Sequence, residues 1–351
     1  MGIFCMNDVR IALNICTYKR EDYVRKNLAL LLASRFFDRS DSEYYGRLDI
    51  YIVDNASGID NTCFGAVEKE ALSEYIHPIR NRNTGGSGGF QRGIEEIRKD
   101  DARKHFSHVI FMDDDVSFDI ESFYLLFEFL RDVDEDDSDR PVAGRMLDAD
   151  NPSIQRTAVE KWNDGNIEHV EFLRNLDEAP FHPGKVIYDA DADYGGFWFC
   201  CYPYSFVKDN DILPFFIHYD DVEYGLRCGG SPIIIEGVCV RHETFEKRMS
   251  PVIKYYDTRN PLFVNSLYGY LPSGDELYSA WKDEITKYHV EEDWLTEYML
   301  IIAMRDFLRG MDWLKHLDSE KYHKKLLEAR SGRIKNAIAW RLVAARLKRF
   351  Q

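Results

Sequence analysis

The sequence predicts an α/β fold with a mostly parallel central sheet flanked by helices, and three observations carry that expectation. From Val9 to about Arg140, short apolar runs alternate with longer mixed segments, the pattern of strands separated by helices. Each of the early apolar runs leads into a polar cluster, at residues 17–20, 54–57 and 113–115. Hydrophobic residues make up 45% of the 351 and aromatics 14%, which supplies one large core plus an appendage and excludes a disordered chain.

Taken in order, residues 11–16 form the first expected strand. A helical segment follows over 20–32, with Leu28, Leu31 and Leu32 on one side. Residues 48–53 are a second strand, 89–104 a helix, and 108–112 a third strand running into Asp113. In open parallel sheets ligands bind beyond the carboxyl ends of the strands, so the polar clusters mark the expected site. The run 132–140 (DVDEDDSDR) reads as a solvated acidic loop, because nothing apolar frames it. Residues 143–193 lack a clear period and carry turn signals at Asn151-Pro152, Asp164-Gly165 and Pro183-Gly184. Residues 233–240 make another buried strand. After about Tyr270 the texture is helical: Trp294, Leu295, Tyr298, Met299 and Ile302 recur at helical spacing, and Gly310 is expected to end that helix. The expected division is a catalytic domain over 1–270 and a helical region over 271–351.

The formal charge of −16 argues against nucleic acid as a partner, since phosphate backbones attract basic faces. The charge is uneven: residues 324–351 carry nine Lys/Arg and Glu328 as the one acid. Seven cysteines (Cys5, Cys16, Cys63, Cys200, Cys201, Cys228, Cys239) show no C-x-x-C spacing, which points to a reduced compartment. With no signal-peptide pattern and no apolar window near twenty residues, the expectation is a cytoplasmic protein, at most peripheral on the inner membrane face.

Chemistry concentrates in a few segments. Asp113-Asp114-Asp115 abuts the end of an apolar strand, where alternation of faces would let Asp113 and Asp115 share one cation. Hard divalent ions such as Mn²⁺ or Mg²⁺ take carboxylate oxygens together with substrate phosphates, and three carboxylates there would repel one another without a cation. The triplet is therefore read as a metal site rather than a solvated turn. Asp220-Asp221 opens an expected helix, where a carboxylate serves equally as a general base or as a complement to the helix dipole. Gly85-Gly86-Ser87-Gly88-Gly89 permits close backbone approach to a ligand, or is a flexible loop, and it matches neither a P-loop nor a dinucleotide fingerprint. His242, just past a buried strand, is of a type that serves as a third metal ligand or as a structural residue. Of Phe197-Trp198-Phe199, Trp198 is the ring expected to stack on a sugar, the phenylalanines being core.

In this order the pieces resemble family 2 glycosyltransferases of the GT-A fold, most closely the galactofuranosyltransferase branch. The residues that carry the resemblance are Thr17-Tyr18-Lys19-Arg20, Ile52-Val53-Asp54-Asn55-Ala56-Ser57, Asn83-Thr84-Gly85-Gly86-Ser87-Gly88-Gly89-Phe90, Met112-Asp113-Asp114-Asp115, Gly196-Phe197-Trp198, Asp220-Asp221-Val222-Glu223-Tyr224-Gly225, His242 and Tyr256-Asp257-Thr258-Arg259-Asn260. The resemblance implies an inverting, metal-dependent transfer of a sugar, galactofuranose, from a UDP donor to a glycan or lipid-linked acceptor. Tyr18, Arg20 and Asp54 would hold the uridine. Thr17, Asn83, Gly86, Asp113 and Asp114 would complete the donor site, Asp113 lying by the ribose and the metal. Asp115 and His242 would ligate the ion with Asp113, Asp221 would be the catalytic base, and Asp220 and Trp198 would face the acceptor. The chain departs from the branch at Lys19, where its polymerases usually have Asn, and at Phe197-Trp198, where they have two tryptophans. Rhamnosyl or another hexosyl transfer on the same scaffold, or sugar nucleotidyl transfer, are the competing activities. Finally, Ile334, Ile338, Leu342 and Ala345 fall on one helical face, and Arg333, Lys335, Arg341, Arg346, Lys348 and Arg349 lie around the rest of the helix. Such a helix lies on an anionic membrane surface, or packs on the catalytic domain or on a second subunit of a homo-oligomer.

Overall fold

A computed structural model describes residues 8–55, 74–188, 190–243 and 249–350. Cys5, Ala56, Ser57 and Cys63, singled out above, lie outside the described residues. The chain divides into two compact units: Met1–Trp162 with Ile167–Ile212 and Tyr224–Thr244, and Asn163–Asn166 with Leu213–Glu223 and Phe245–Gln351.

The first unit is a sheet covered on both faces. Its main strands are β1 (Ile11–Thr17), β2 (Leu48–Asn55), β3 (Ile76–Asn81), β4 (His108–Asp113), β5 (Ser117–Phe118), β6 (Val142–Asp148), β7 (Ile154–Thr157), β8 (Cys200–Pro203) and β9 (Ile233–His242). Spatially β3, β2, β1 and β4 are consecutive and parallel. Antiparallel β8 then joins β4 to β6. β7 lies beyond β6, and β9 pairs parallel with β6 and antiparallel with β5.

Alternation along β1 explains the layers. Ile11, Leu13 and Ile15 point into a core with Val24, Leu28 and Leu31 of α1 (Glu21–Leu32). The helix Glu121–Asp132 adds Phe123, Leu126, Phe127 and Leu130 to the same core. On the other face Ala12 joins Phe90, Ile94 and Ile97 of α2 (Gly85–Lys104). The small side chains on that face let α2 approach closely: a Cβ on Gly89 would stand 2.0 Å from Cys16 Sγ, and one on Gly93 2.0 Å from Asn14 Oδ1. Asn14 Nδ2 donates to the Phe90 carbonyl at 2.8 Å across that seam.

Two features differ from expectation. α2 begins at Gly85 rather than 89, so the glycine-rich stretch is helical, and its glycines serve strand contact. The aperiodic stretch 143–193 contains much of β6, which is almost wholly buried, together with β7 and the hairpin Val159–Asn163/Asn166–Val170. β6 escapes a pattern reading because its centre is Gly144-Arg145. Arg145 is fully buried, yet its guanidinium donates to Gln155 Oε1 at 2.6 Å and to Glu171 at 2.7 Å. Against the burial that would raise it, the Glu171 carboxyl is held down at about 2 by Arg145.

The second unit is helical: α4 (Pro251–Tyr268), α5 (Gly274–Val290), α6 (Trp294–Phe307), α7 (Ser319–Leu327) and α8 (Arg333–Leu347), numbered after α3 (Asp220–Cys228), which begins in it. Local chemistry sets their starts. Ser250 caps α4 ahead of Pro251, Ser273 and Glu276 form a capping box on α5, and Asp293 and Asp318 cap α6 and α7. α6 stops at Phe307, with Gly310 following in the left-handed region. Among the described residues no helix is long and apolar enough to cross a membrane.

Candidate functional site

The parallel strands bring the expected residues to one edge of the first unit. Thr17 pairs in register with Asp54 at the carboxyl ends of β1 and β2, and Cys16 pairs with Asp113 of β4. Thr17 and Asp54 are buried there, whereas Tyr18 is exposed with the Lys19 ammonium over its ring at 5.1 Å. Asparagines that sequence reasoning gave no role tie the edge together. Asn81 Nδ2 donates to Asn55 Oδ1 at 2.9 Å, and Asn55 Nδ2 donates to the Gly85 carbonyl at 2.8 Å. Asn83 Oδ1 accepts from the Gly85 amide at 3.2 Å, so Asn83 and the first turn of α2, including Gly86, are held by strand-end amides. The available signal was the placement of Asn55 just past the apolar run 48–53; the strand that carries Asn81 (IHPIRN) gave none.

β4 ends at Asp113, and Asp114 and Asp115 turn away from the strand. Asp113 and Asp115 therefore meet through a turn, not through strand alternation. His242, the last residue of β9, completes the group. Its Nε2 lies 3.4 Å from Asp115 Oδ1 and 3.8 Å from Asp113 Oδ2. One ligand atom from each of Asp113, Asp115 and His242 lies within 4.8 Å of the others. His242 Nδ1 sits against the Glu243 carbonyl, and an N–H donated there leaves Nε2 for a cation, the usual outer support of a metal-ligating imidazole. Hard oxygen donors plus one imidazole fit Mn²⁺ or Mg²⁺.

Arg20, expected on the nucleotide, bridges this cluster in the structure. Its Nη1 lies 2.7 Å from Asp114 Oδ1 and 3.0 Å from Asp115 Oδ2. It supplies one of the positive charges that three adjacent carboxylates require. Burial pushes the Asp114 carboxyl above its ordinary range, against the pull of Arg20. Asp114 Oδ2 is buried without a hydrogen-bond partner among the described residues.

Asp220 and Asp221 belong to the second unit, at the start of α3. The backbone that delivers them is strained: Phe216, His218 and Tyr219 have φ of 77°, 62° and 67°. α4 holds this segment by its carbonyls. Arg259 Nη2 donates to Phe215 O at 2.7 Å, and Asn260 Nδ2 donates to Ile217 O at 2.8 Å and His218 O at 3.0 Å. Phe216 packs against both Tyr256 and His323, with ring centroids 5.3 and 4.2 Å away. His218 Nδ1 pairs with Asp257 Oδ1 at 2.6 Å. The segment Tyr256-Asp257-Thr258-Arg259-Asn260, noticed in the sequence without a role, thus braces the Asp220–Asp221 turn.

Trp198 departs from its expected place. It is 6% exposed within the first unit's core, and its Nε1 donates to the Gly144 carbonyl at 2.9 Å. Phe197 and Phe199 are buried with it, and core packing accounts for all three rings.

The sequence profile described as Glycosyl transferase family 2 matches residues 13–193. The chain is 27% identical over 256 residues to galactofuranosyltransferase GlfT2 of Mycolicibacterium smegmatis, covering 68% of this chain and 38% of that protein. It is 27% identical over 204 residues to GlfT2 of Mycobacterium tuberculosis, covering 53% of this chain and 31% of that one. It therefore spans well under half the length of these relatives. Among solved structures, S. aureus TarS 1–349 in complex with UDP-GlcNAc aligns with a TM-score of 0.51 at 14% identity, covering 98% of this chain and 93% of that one. That likeness is one of fold, and the architecture is GT-A.

Proposed function

The chain belongs to glycosyl transferase family 2, and from that premise we propose that it transfers galactofuranose from a UDP donor to a hydroxyl of a glycan or lipid-linked acceptor, with inversion and with help from a divalent ion. The observation that carries this reading is the convergence of Asp113, Asp115 and His242 at the carboxyl edge of the sheet beside Thr17 and Asp54. In this reading Asp54, Thr17 and Tyr18 bind the uridine, and Asn83 and Gly86 border the donor. Arg20 holds Asp114 and Asp115 in place, Asp113 stands nearest the ribose, and Asp113, Asp115 and His242 hold Mn²⁺ or Mg²⁺. When bound, such an ion offsets the negative charge that grows on the leaving diphosphate. Asp221 takes the proton from the acceptor hydroxyl as that oxygen attacks the anomeric carbon from the face opposite UDP, and Asp220 orients the acceptor.

The test is UDP release by the purified protein in Mn²⁺, with UDP-galactofuranose, UDP-galactopyranose, UDP-glucose and dTDP-rhamnose as donors and saccharide acceptors of the glycan and lipid-linked types. Turnover of UDP-galactofuranose is expected. Turnover confined to another donor sinks the sugar assignment, and pyrophosphate release in place of UDP sinks glycosyl transfer itself. Asp221→Asn is expected to lower kcat by at least about 100-fold, the lower end of what a positioned general base contributes, with UDP binding unchanged. Near-normal turnover in that variant removes Asp221 from the role.

A further inference from the structure

α8 has two apolar stripes, and the second unit covers only one. The inner stripe consists of Asn336, Val343, Ala344 and Leu347, all buried. Asn336 Nδ2 fixes the helix by donating to the Trp294 carbonyl and to Glu297 Oε2, both at 2.8 Å. The edges are pinned by cations over rings, Lys335 above Tyr298 at 4.1 Å and Lys348 above Tyr278 at 4.9 Å. The outer stripe is Ile334, Ile338 and Leu342, at i, i+4 and i+8, with relative exposures of 78%, 57% and 70%. Arg341 and Arg349 are exposed beside it and Arg333 is exposed in the first turn, and residues 329–351 contain no acid on a chain whose net charge is −16.

We propose that this outer face of α8 docks on an anionic lipid bilayer surface. Charge selects the partner: a row of aliphatic side chains set among arginines and lysines matches a bilayer interface, where acyl chains take the apolar row and anionic headgroups meet the cations. A second copy of the chain fits poorly. Three aliphatic side chains fall well short of the roughly 800 Å² per partner that a stable interface buries, and a twofold contact through this face would bring its like charges together. Because the inner stripe already holds the helix, docking needs no folding of a disordered segment. The proposal does not depend on the glycosyl-transfer reading, and its measurement needs no donor.

Co-sedimentation of the full chain is compared on vesicles of pure phosphatidylcholine and on vesicles containing phosphatidylglycerol. Binding to the anionic vesicles alone, weakening as salt rises, is expected. Ile334→Ser/Ile338→Ser/Leu342→Ser should weaken it by at least about tenfold, with an unchanged circular-dichroism melt. Arg333→Glu/Arg341→Glu/Arg349→Glu should abolish it, since each cation near such a surface contributes about fivefold. The charge variant keeps the test decisive if the serine variant folds badly. Absence of wild-type binding overturns the proposal, as does binding at the wild-type level by both variants. A wild-type dimer in sedimentation velocity that the serine variant turns into monomer also overturns it, by assigning the stripe to self-association.

Discussion

His218 stands two residues ahead of Asp220, and its charge is set by opposing effects. Burial lowers its pKa, but the 2.6 Å bond to Asp257 and the nearby charges of Asp257, Asp220 and Asp221 outweigh burial, so the imidazole titrates above its ordinary value. A raised folded pKa means that the pair stabilises fully below the ordinary histidine pKa and loses that contribution as pH rises through the folded value. Asp257→Asn should therefore bring the His218 pKa down, read by NMR titration of the imidazole. It should also lower Tm most on the acidic side, with the gap from wild type closing as pH rises from the ordinary histidine pKa through the raised folded value. A gap that stays constant over that range would mean the pair contributes nothing through charge. At this scale the sequence made Asp221 legible as a carboxylate at a helix start. It did not reveal His218 and Asp257 as partners, because they are 39 residues apart and on different elements.

Elements explain why the glycine-rich segment reads ambiguously. Glycine density signals close backbone approach but not to what, and here the neighbour is β1, met by α2 through Gly89 and Gly93. Gly89→Ala or Gly93→Ala should push α2 off the sheet and cost about 1–3 kcal/mol, as overpacking of a close contact does. Denaturant melts would show it, and an unchanged midpoint in both variants would contradict the packing described. The brace on the Asp220–Asp221 turn is the second case. Asn260→Leu keeps the approximate volume but leaves the part-buried carbonyls of Ile217 and His218 short of a donor, while Phe215 O keeps Arg259, and should cost about 1–3 kcal/mol in a denaturant melt. β1, β2 and β4 were legible as continuous apolar runs and α6 by its helical spacing, whereas α4 begins well before Tyr270, where the helical texture was expected to start. β6 was not, since a buried Arg145, paired with Glu171 and hydrogen-bonded to Gln155, looks polar to any period count. Trp198 was misplaced for a related reason: an aromatic run beside glycines suits a stacking platform and a core equally, and the indole N–H found Gly144 inside the protein.

Across the whole molecule, the metal candidate depends on the fold, because it joins residues 113 and 115 to residue 242 and exists only when β4 and β9 are both in place. An ion that binds this folded cluster and not the unfolded chain must stabilise the protein by mass action, by about 2.7 kcal/mol at a hundred times its dissociation constant. For a unit of this size that corresponds to a rise in Tm of about 5–10 °C. Adding Mn²⁺ to chelator-treated protein should produce such a rise, and EDTA should reverse it. The run at residues 132–140 could bind cations loosely in any acidic protein, so the discriminating comparison is Asp115→Asn combined with His242→Ala. That variant should keep a normal melt without metal and lose the Mn²⁺-dependent rise. Loss of the rise in the double variant alone ties the ion to these side chains. A rise of equal size in wild type and variant moves the ion elsewhere, and no rise in wild type removes it from the site.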